Sequence, residues 1–184
     1  YEKIWTEEGS PLIAITASLE RGLNEHYAEQ GLPVVVRAGM SYGKPSLKQA
    51  VRELKEEGCT ELVVLPMYPQ SAFSTTGSVS DGVAKAVRRA RFKGDVRLID
   101  GYGEDATYVR AVAASIRNAG FSEESGDRLL FSFHSIPLKD IEAGDTYELQ
   151  TGATSLAVAG ELGLDRRSWT ISYQSRFDKG RTWL

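Results

Sequence analysis

Of the two histidines in the chain, His134 holds the more informative place, at the end of the segment Arg128-Leu-Leu-Phe-Ser-Phe-His134-Ser-Ile-Pro137. A neutral imidazole offers one free electron pair, which can accept a proton or bind a metal ion but cannot do both at once. Hydroxyl groups gather at Ser74-Thr75-Thr76-Gly77-Ser78, directly ahead of a helical pattern. Hydroxyls and amides at the positive end of a helix suit a carboxylate or phosphate, and plain capping accounts for them equally well. Tyr42, Tyr68, Phe73, Tyr173, Phe177 and Trp183 lie in or beside these polar loops. Flat amphipathic rings around a cleft suit a large planar ligand, with core packing the plainer account of Phe73 and Phe177.

Other chemistries find less support. His134, Ser135 and Asp145 supply the residue types of a hydrolytic triad, yet no serine sits in a Gly-x-Ser-x-Gly elbow, and adjacent His-Ser does not by itself put the hydroxyl on the ring. The lysine pattern of a phosphate-binding loop and the glycine pattern of a dinucleotide site are both missing. Cys59 is the sole cysteine, which excludes an intrachain disulfide and a cysteine cluster from these residues. His26 has no second ligand type at matching spacing and reads as a surface residue.

The elements that would position His134 follow from hydrophobic periodicity. Leu129, Leu130, Phe131 and Phe133 form the nearly continuous apolar run of a strand covered on both faces. Pro137 ends that strand, because it lacks an N–H and disfavours helix at Ile136. His134 is then expected at the carboxyl end of a sheet, where open α/β folds bind ligands, although a histidine satisfied by local hydrogen bonds would fit the same position.

Elsewhere the pattern predicts helices at Pro11–Gln30, Ser46–Glu57, Gly77–Ala90, Ala106–Ala119 and Tyr147–Leu162. Strands are predicted at Val34–Met40, Glu61–Met67, Val96–Asp100, Arg128–His134 and Trp169–Tyr173. Ser10 before Pro11, Ser46 before Leu47, and Asp145 three residues ahead of Glu148 are start signals. Strict alternation of helix and strand predicts a doubly wound α/β fold with parallel sheets and helices on both faces. Four loops then share one rim: 39–45, 67–78, 134–137 and 173–177.

Composition is that of a globular protein, with 184 residues, 41% hydrophobic and 26% charged. The net charge of −3 argues against a nucleic-acid surface, and the cations between Lys85 and Lys93 read as a solvated helix face. No apolar run is long enough to span a bilayer, the first residues lack a leader pattern, and the lone cysteine fits a reducing cytoplasm.

Taken together, Phe-Ser-Phe-His134-Ser-Ile-Pro, Gly144-Asp145-x-Tyr147, Tyr68-Pro-Gln with Ser74-Thr-Thr-Gly-Ser, Met40-x-Tyr42-Gly-x-Pro-Ser46, and Gln174-Ser-Arg-Phe with Trp183-Leu184 resemble the ferrochelatase family in order and spacing. The resemblance implies an enzyme that inserts ferrous iron into protoporphyrin IX or coproporphyrin III and releases two protons, in haem biosynthesis. It implies two Rossmann-like domains, both incomplete here, with residues 1–71 ending the first and 72–184 forming most of the second.

By the same resemblance His134 is the catalytic proton acceptor or metal ligand. Tyr68, Ser74, Thr75, Thr76 and Ser78 match the substrate-facing motif, and Gln174 and Trp183 the cleft wall. The resemblance implies no tightly bound cofactor, ferrous iron and porphyrin as substrates, and room for peripheral membrane contact through segments outside this span. It places an acidic partner, a glutamate, beyond residue 184 and a porphyrin-gripping loop before residue 1, so the chain by itself is expected to have little activity. The sequence departs from the family pattern at Ser41 in place of arginine, at Ser71 and Phe73, at Thr146 in place of proline, and in one added residue between Asp178 and Thr182. A cobalt or nickel tetrapyrrole chelatase, or a porphyrin carrier on the same fold, are the competing expectations.

Overall fold

The computed structural model describes residue 5 and residues 10–184. The expected absence of a leader pattern concerns the opening residues, which, Trp5 apart, lie outside the described ones. The chain clusters into two interleaved units, Tyr1–Val64 with Val79–Arg97, and Leu65–Ser78 with Leu98–Leu184.

In the first unit, α1 (Pro11–Glu29) begins as expected, with Ser10 accepting the Ile13 N–H and proline at the first helical position. Its apolar stripe finds little cover, and Leu12 and Ile15 are exposed. After α2 (Leu47–Glu56), β1 (Glu61–Val64) pairs with β2 (Asp95–Leu98) in a two-stranded sheet, with α3 (Ser78–Ala90) between them in sequence. Val51 of α2, Leu62 of β1 and Ala86 of α3 form the core of this unit.

The strand expected at Val34–Met40 is not formed; only Met40 bridges, to Ser46. The polar groups of this segment are taken by side chains of α1. Asn24 accepts the Val36 N–H at 2.9 Å and donates to the Val36 carbonyl at 3.0 Å, and Glu20 accepts the Ala38 N–H at 2.8 Å. Main-chain groups satisfied this way need no ladder partner.

The second unit holds α4 (Ala106–Asn118), β3 (Leu129–His134), α5 (Leu138–Glu142), α6 (Tyr147–Leu162) and β4 (Trp169–Gln174). β3 and β4 pair in parallel from Leu129↔Trp169 to His134↔Gln174. The expected α/β class is present, built among the described residues on two sheets of two strands each. Val109 and Ala113 of α4 pack on Val158 of α6, with Phe131 of β3 against them.

Strict alternation is broken by α5, which follows β3 without a strand before α6. Pro137, with φ −62°, caps it: the residue that ends the strand is also pre-set for a helix start. Cover on both faces of β3 is likewise not observed among the described residues. Its burial alternates, Leu130 is 56% exposed, and only the face of Leu129, Phe131 and Phe133 is packed. Among the described residues no helix is long and apolar enough to cross a membrane.

Candidate functional site

His134 is the last residue of β3, half-buried, beside Gln174 across the parallel ladder. Its Nδ1 lies 2.7 Å from the Ser135 carbonyl oxygen. A carbonyl only accepts, so Nδ1 carries a proton and donates it, and in the neutral ring Nε2 keeps its electron pair free. The strand end thus fixes the tautomer as well as the position. The ring packs against Phe177, with centroids 4.9 Å apart, and Phe177 meets Trp183 edge-on at 5.9 Å.

Trp183 is brought there by a return of the chain onto the loop after β3. Pro137 and Trp183 form an antiparallel bridge, the Leu138 N–H donates to the Thr182 carbonyl, and the Leu184 N–H to the Ile136 carbonyl. Ser135 Oγ donates to the Leu184 carbonyl at 3.0 Å. That serine is therefore turned away from the imidazole, and Asp145 binds main-chain amides, so the triad geometry is absent. Gln174 is exposed, and its amide oxygen accepts from Ser175 Oγ.

The hydroxyl-rich segment forms a π-helical turn, Phe73–Gly77, that leads into α3. Ser74 and Ser78 are exposed and Thr75 is half-buried, but Thr76 is 1% exposed and its Oγ1 has no hydrogen-bond partner. Trp183 Nε1 is the other buried side-chain polar atom without a partner among the described residues. The head of this turn has no side-chain cap of its own. The Phe73 N–H donates instead to Oδ2 of Asp145 at 2.7 Å, while Thr75 and Gly77 donate to the Ala72 carbonyl. Asp145 Oδ1 also accepts the Tyr147 N–H at 3.0 Å, a shorter reach than the capping pair with Glu148 that its spacing suggests.

Tyr68 is 43% exposed. The loop after it is pinned, since the N–H groups of Tyr102 and Gly103 both donate to the Pro69 carbonyl, Gln70 donates to Thr154 Oγ1, and Gln150 accepts the Ser71 N–H. Gly103 is required here, because a Cβ would lie 2.3 Å from Thr154 Oγ1. A cleft of about 590 Å³ beside this loop is lined by Asp100, Tyr102, Glu104, Gln150 and Thr154, and His134 is not part of its wall. The loop 39–45, with exposed Tyr42, belongs to the first unit.

Behind His134 sits a buried aromatic layer. Tyr147 packs with Ala72 and Ile136, and Phe133 and Tyr173 adjoin them. Burial pushes the Tyr147 hydroxyl above its usual value of 10.0, Tyr173 and Asp145 push the same way, and a backbone hydrogen bond at His134 opposes them. Tyr173 Oη lies 2.6 Å from Thr151 Oγ1, which itself donates to the Glu148 carbonyl, so the tyrosine is the donor. No group of three or more potential metal ligands occurs among the described residues.

The fold is shared with a solved structure, SirB from Bacillus subtilis with Fe3+, at a TM-score of 0.62 and 12% identity over 86% of this chain and 60% of that one. The likeness defines the class of fold, α/β. The family model described as Ferrochelatase matches residues 1–184. Relatives named Ferrochelatase include those of Aeromonas hydrophila, 41% identical over 100% of this chain and 56% of its own, and of Haemophilus influenzae, 39% over 100% and 56%. That of Thioalkalivibrio sulfidiphilus is 40% identical over 100% of this chain and 50% of its own. The chain belongs to the ferrochelatase family, and it spans about half the length of these curated relatives.

Proposed function

We infer that the protein carrying this span inserts ferrous iron into a porphyrin, protoporphyrin IX or coproporphyrin III, in haem biosynthesis. Two pyrrole N–H protons leave as one Fe2+ enters, so iron is a substrate and no tightly bound cofactor is needed. The observation that carries the reading is the contact of His134 Nδ1 with the Ser135 carbonyl. With Nδ1–H held by the Ser135 carbonyl, Nε2 keeps a pair that can take a pyrrole proton or bind incoming iron. In this reading Tyr68, Ser74, Thr75 and Ser78 hold the macrocycle and its propionates, Thr76 belongs to the same motif from its buried place in the turn, and Gln174 and Trp183 form a wall beside the imidazole.

The ring of Phe177 against His134, with Trp183 edge-on to Phe177, supports a planar substrate at this position. A cytoplasmic setting is part of the proposal, supported by the single, free Cys59. The test is anaerobic metal insertion by the complete protein, followed in the Soret region, with ferrous, cobalt and nickel ions in parallel. Preference for ferrous iron is expected. A cobalt or nickel preference would assign a sister chelatase activity, and a Soret shift on porphyrin binding without insertion would make the protein a carrier.

A further inference from the structure

Asp145 has a place in the site that its motif alone does not give it. Only 6% exposed, its carboxylate receives two main-chain donors from segments far apart in sequence, Phe73 at 2.7 Å and Tyr147 at 3.0 Å. Gly144, at φ 101°, provides the turn that delivers it, and the Asp145 N–H is tied to the Asp140 carbonyl. A carboxylate at the head of a helical turn satisfies an orphan donor and complements the positive end of the backbone dipoles. Here that turn is the one carrying Ser74, Thr75 and Thr76, and its own flanking residue, Ala72, has no side chain that could cap it.

The second contact points towards the histidine. Tyr147, whose N–H Asp145 accepts, packs with Ala72 and Ile136, the latter two residues after His134 in the loop that follows β3. One carboxylate therefore joins the hydroxyl-bearing turn to the start of α6, and the Tyr147 ring joins α6 to the histidine loop.

We propose that Asp145 is a positioning residue for the porphyrin: by bonding Phe73 and Tyr147 together it sets where the Ser74–Ser78 turn stands relative to His134. The role rests on the iron-insertion reading above. Because the positive end of the turn is already occupied by this carboxylate, Asp145 also limits how far the turn's amides can serve a propionate, leaving that work to exposed hydroxyls such as Ser74 and Ser78.

The test uses the complete protein and two routes to the same bond. Asp145→Asn replaces one of the two acceptor oxygens with an amide nitrogen, which donates and cannot accept, so the two main-chain bonds can no longer both be made. Phe73→Pro, compared with Phe73→Ala, removes only the N–H, at a first-turn position where proline is tolerated and after a residue at φ −146°, ψ 156° that suits it. Both Asp145→Asn and the proline variant relative to alanine are expected to raise the porphyrin KM about tenfold, with kcat changed less than about twofold. A direct Soret titration should show the same loss of affinity. A purely structural role would lower the melting temperature and leave the KM of the folded enzyme unchanged, and that result overturns the proposal. Failure of the wild-type protein to metallate any porphyrin would instead strike the underlying reading, and this role with it.

Discussion

At the scale of single residues, hydrogen-bond partners decide the chemistry. His134 has its Nδ1 proton committed to a carbonyl of the next residue, so the free Nε2 is a product of the backbone turn at Ser135 and not of a neighbouring charge. Behind it, burial of Tyr147 gives stability a pH dependence. The unfolded chain releases the tyrosine proton near pH 10.0 while the folded one still holds it, so above that pH the unfolded state binds fewer protons and stability falls. Tyr147→Phe removes this titration. Its melting temperature should decline less steeply than that of the wild type as pH rises above about 10, as followed by calorimetry; an equal or steeper decline would contradict the assignment. His134 was legible in the sequence because an apolar run ending in His-Ser-Ile-Pro fixes where a strand stops. The tautomer and the link from Asp145 to Phe73 were not, since both depend on contacts that no local spacing encodes. Phe177 lay between, named among the rim aromatics but separable from core packing only once its ring was seen on the imidazole.

At the scale of elements, capping and periodicity transferred well. Ser10, Ser46 and Pro11 start their helices as their types require, and α6 runs over Tyr147–Leu162 as its pattern predicts. The pattern failed at Val34–Met40, where β-branched residues signal a strand but Asn24 and Glu20 reach across from α1 and take the main-chain groups. A propensity reading cannot see such a partner. It failed again at Leu130, because an unbroken apolar run does not reveal which face finds a covering layer. Packing of α4 on α6 gives a stability test. Val158, 0% exposed between Val109 and Ala113, loses two methyl groups in Val158→Ala and leaves a cavity, costing about 2 kcal/mol. Leu156→Ala, two positions earlier and 64% exposed, should stay within about 0.5 kcal/mol. Urea unfolding of the complete protein distinguishes the two, and equal effects would remove Val158 from the core.

At the scale of the whole molecule, the residues matched to the family's substrate and metal motifs fall at the carboxyl ends of β3 and β4, in the loop and turn between β1 and α3, and in the return of the chain at Trp183. These are loops held by the fold's hydrogen bonds, while the helices behind them carry the packing. The glutamate that the family resemblance places beyond residue 184 would be the second group of the proposed metal-and-proton site, with His134 the first. Everything in the proposed mechanism passes through that imidazole, so its removal is the most direct measurement. His134→Ala in the complete protein should lower ferrous insertion into porphyrin by at least about a hundredfold. Its melting temperature and the Soret shift on porphyrin binding should stay close to those of the wild type. A variant that inserts iron at a near wild-type rate would contradict the account.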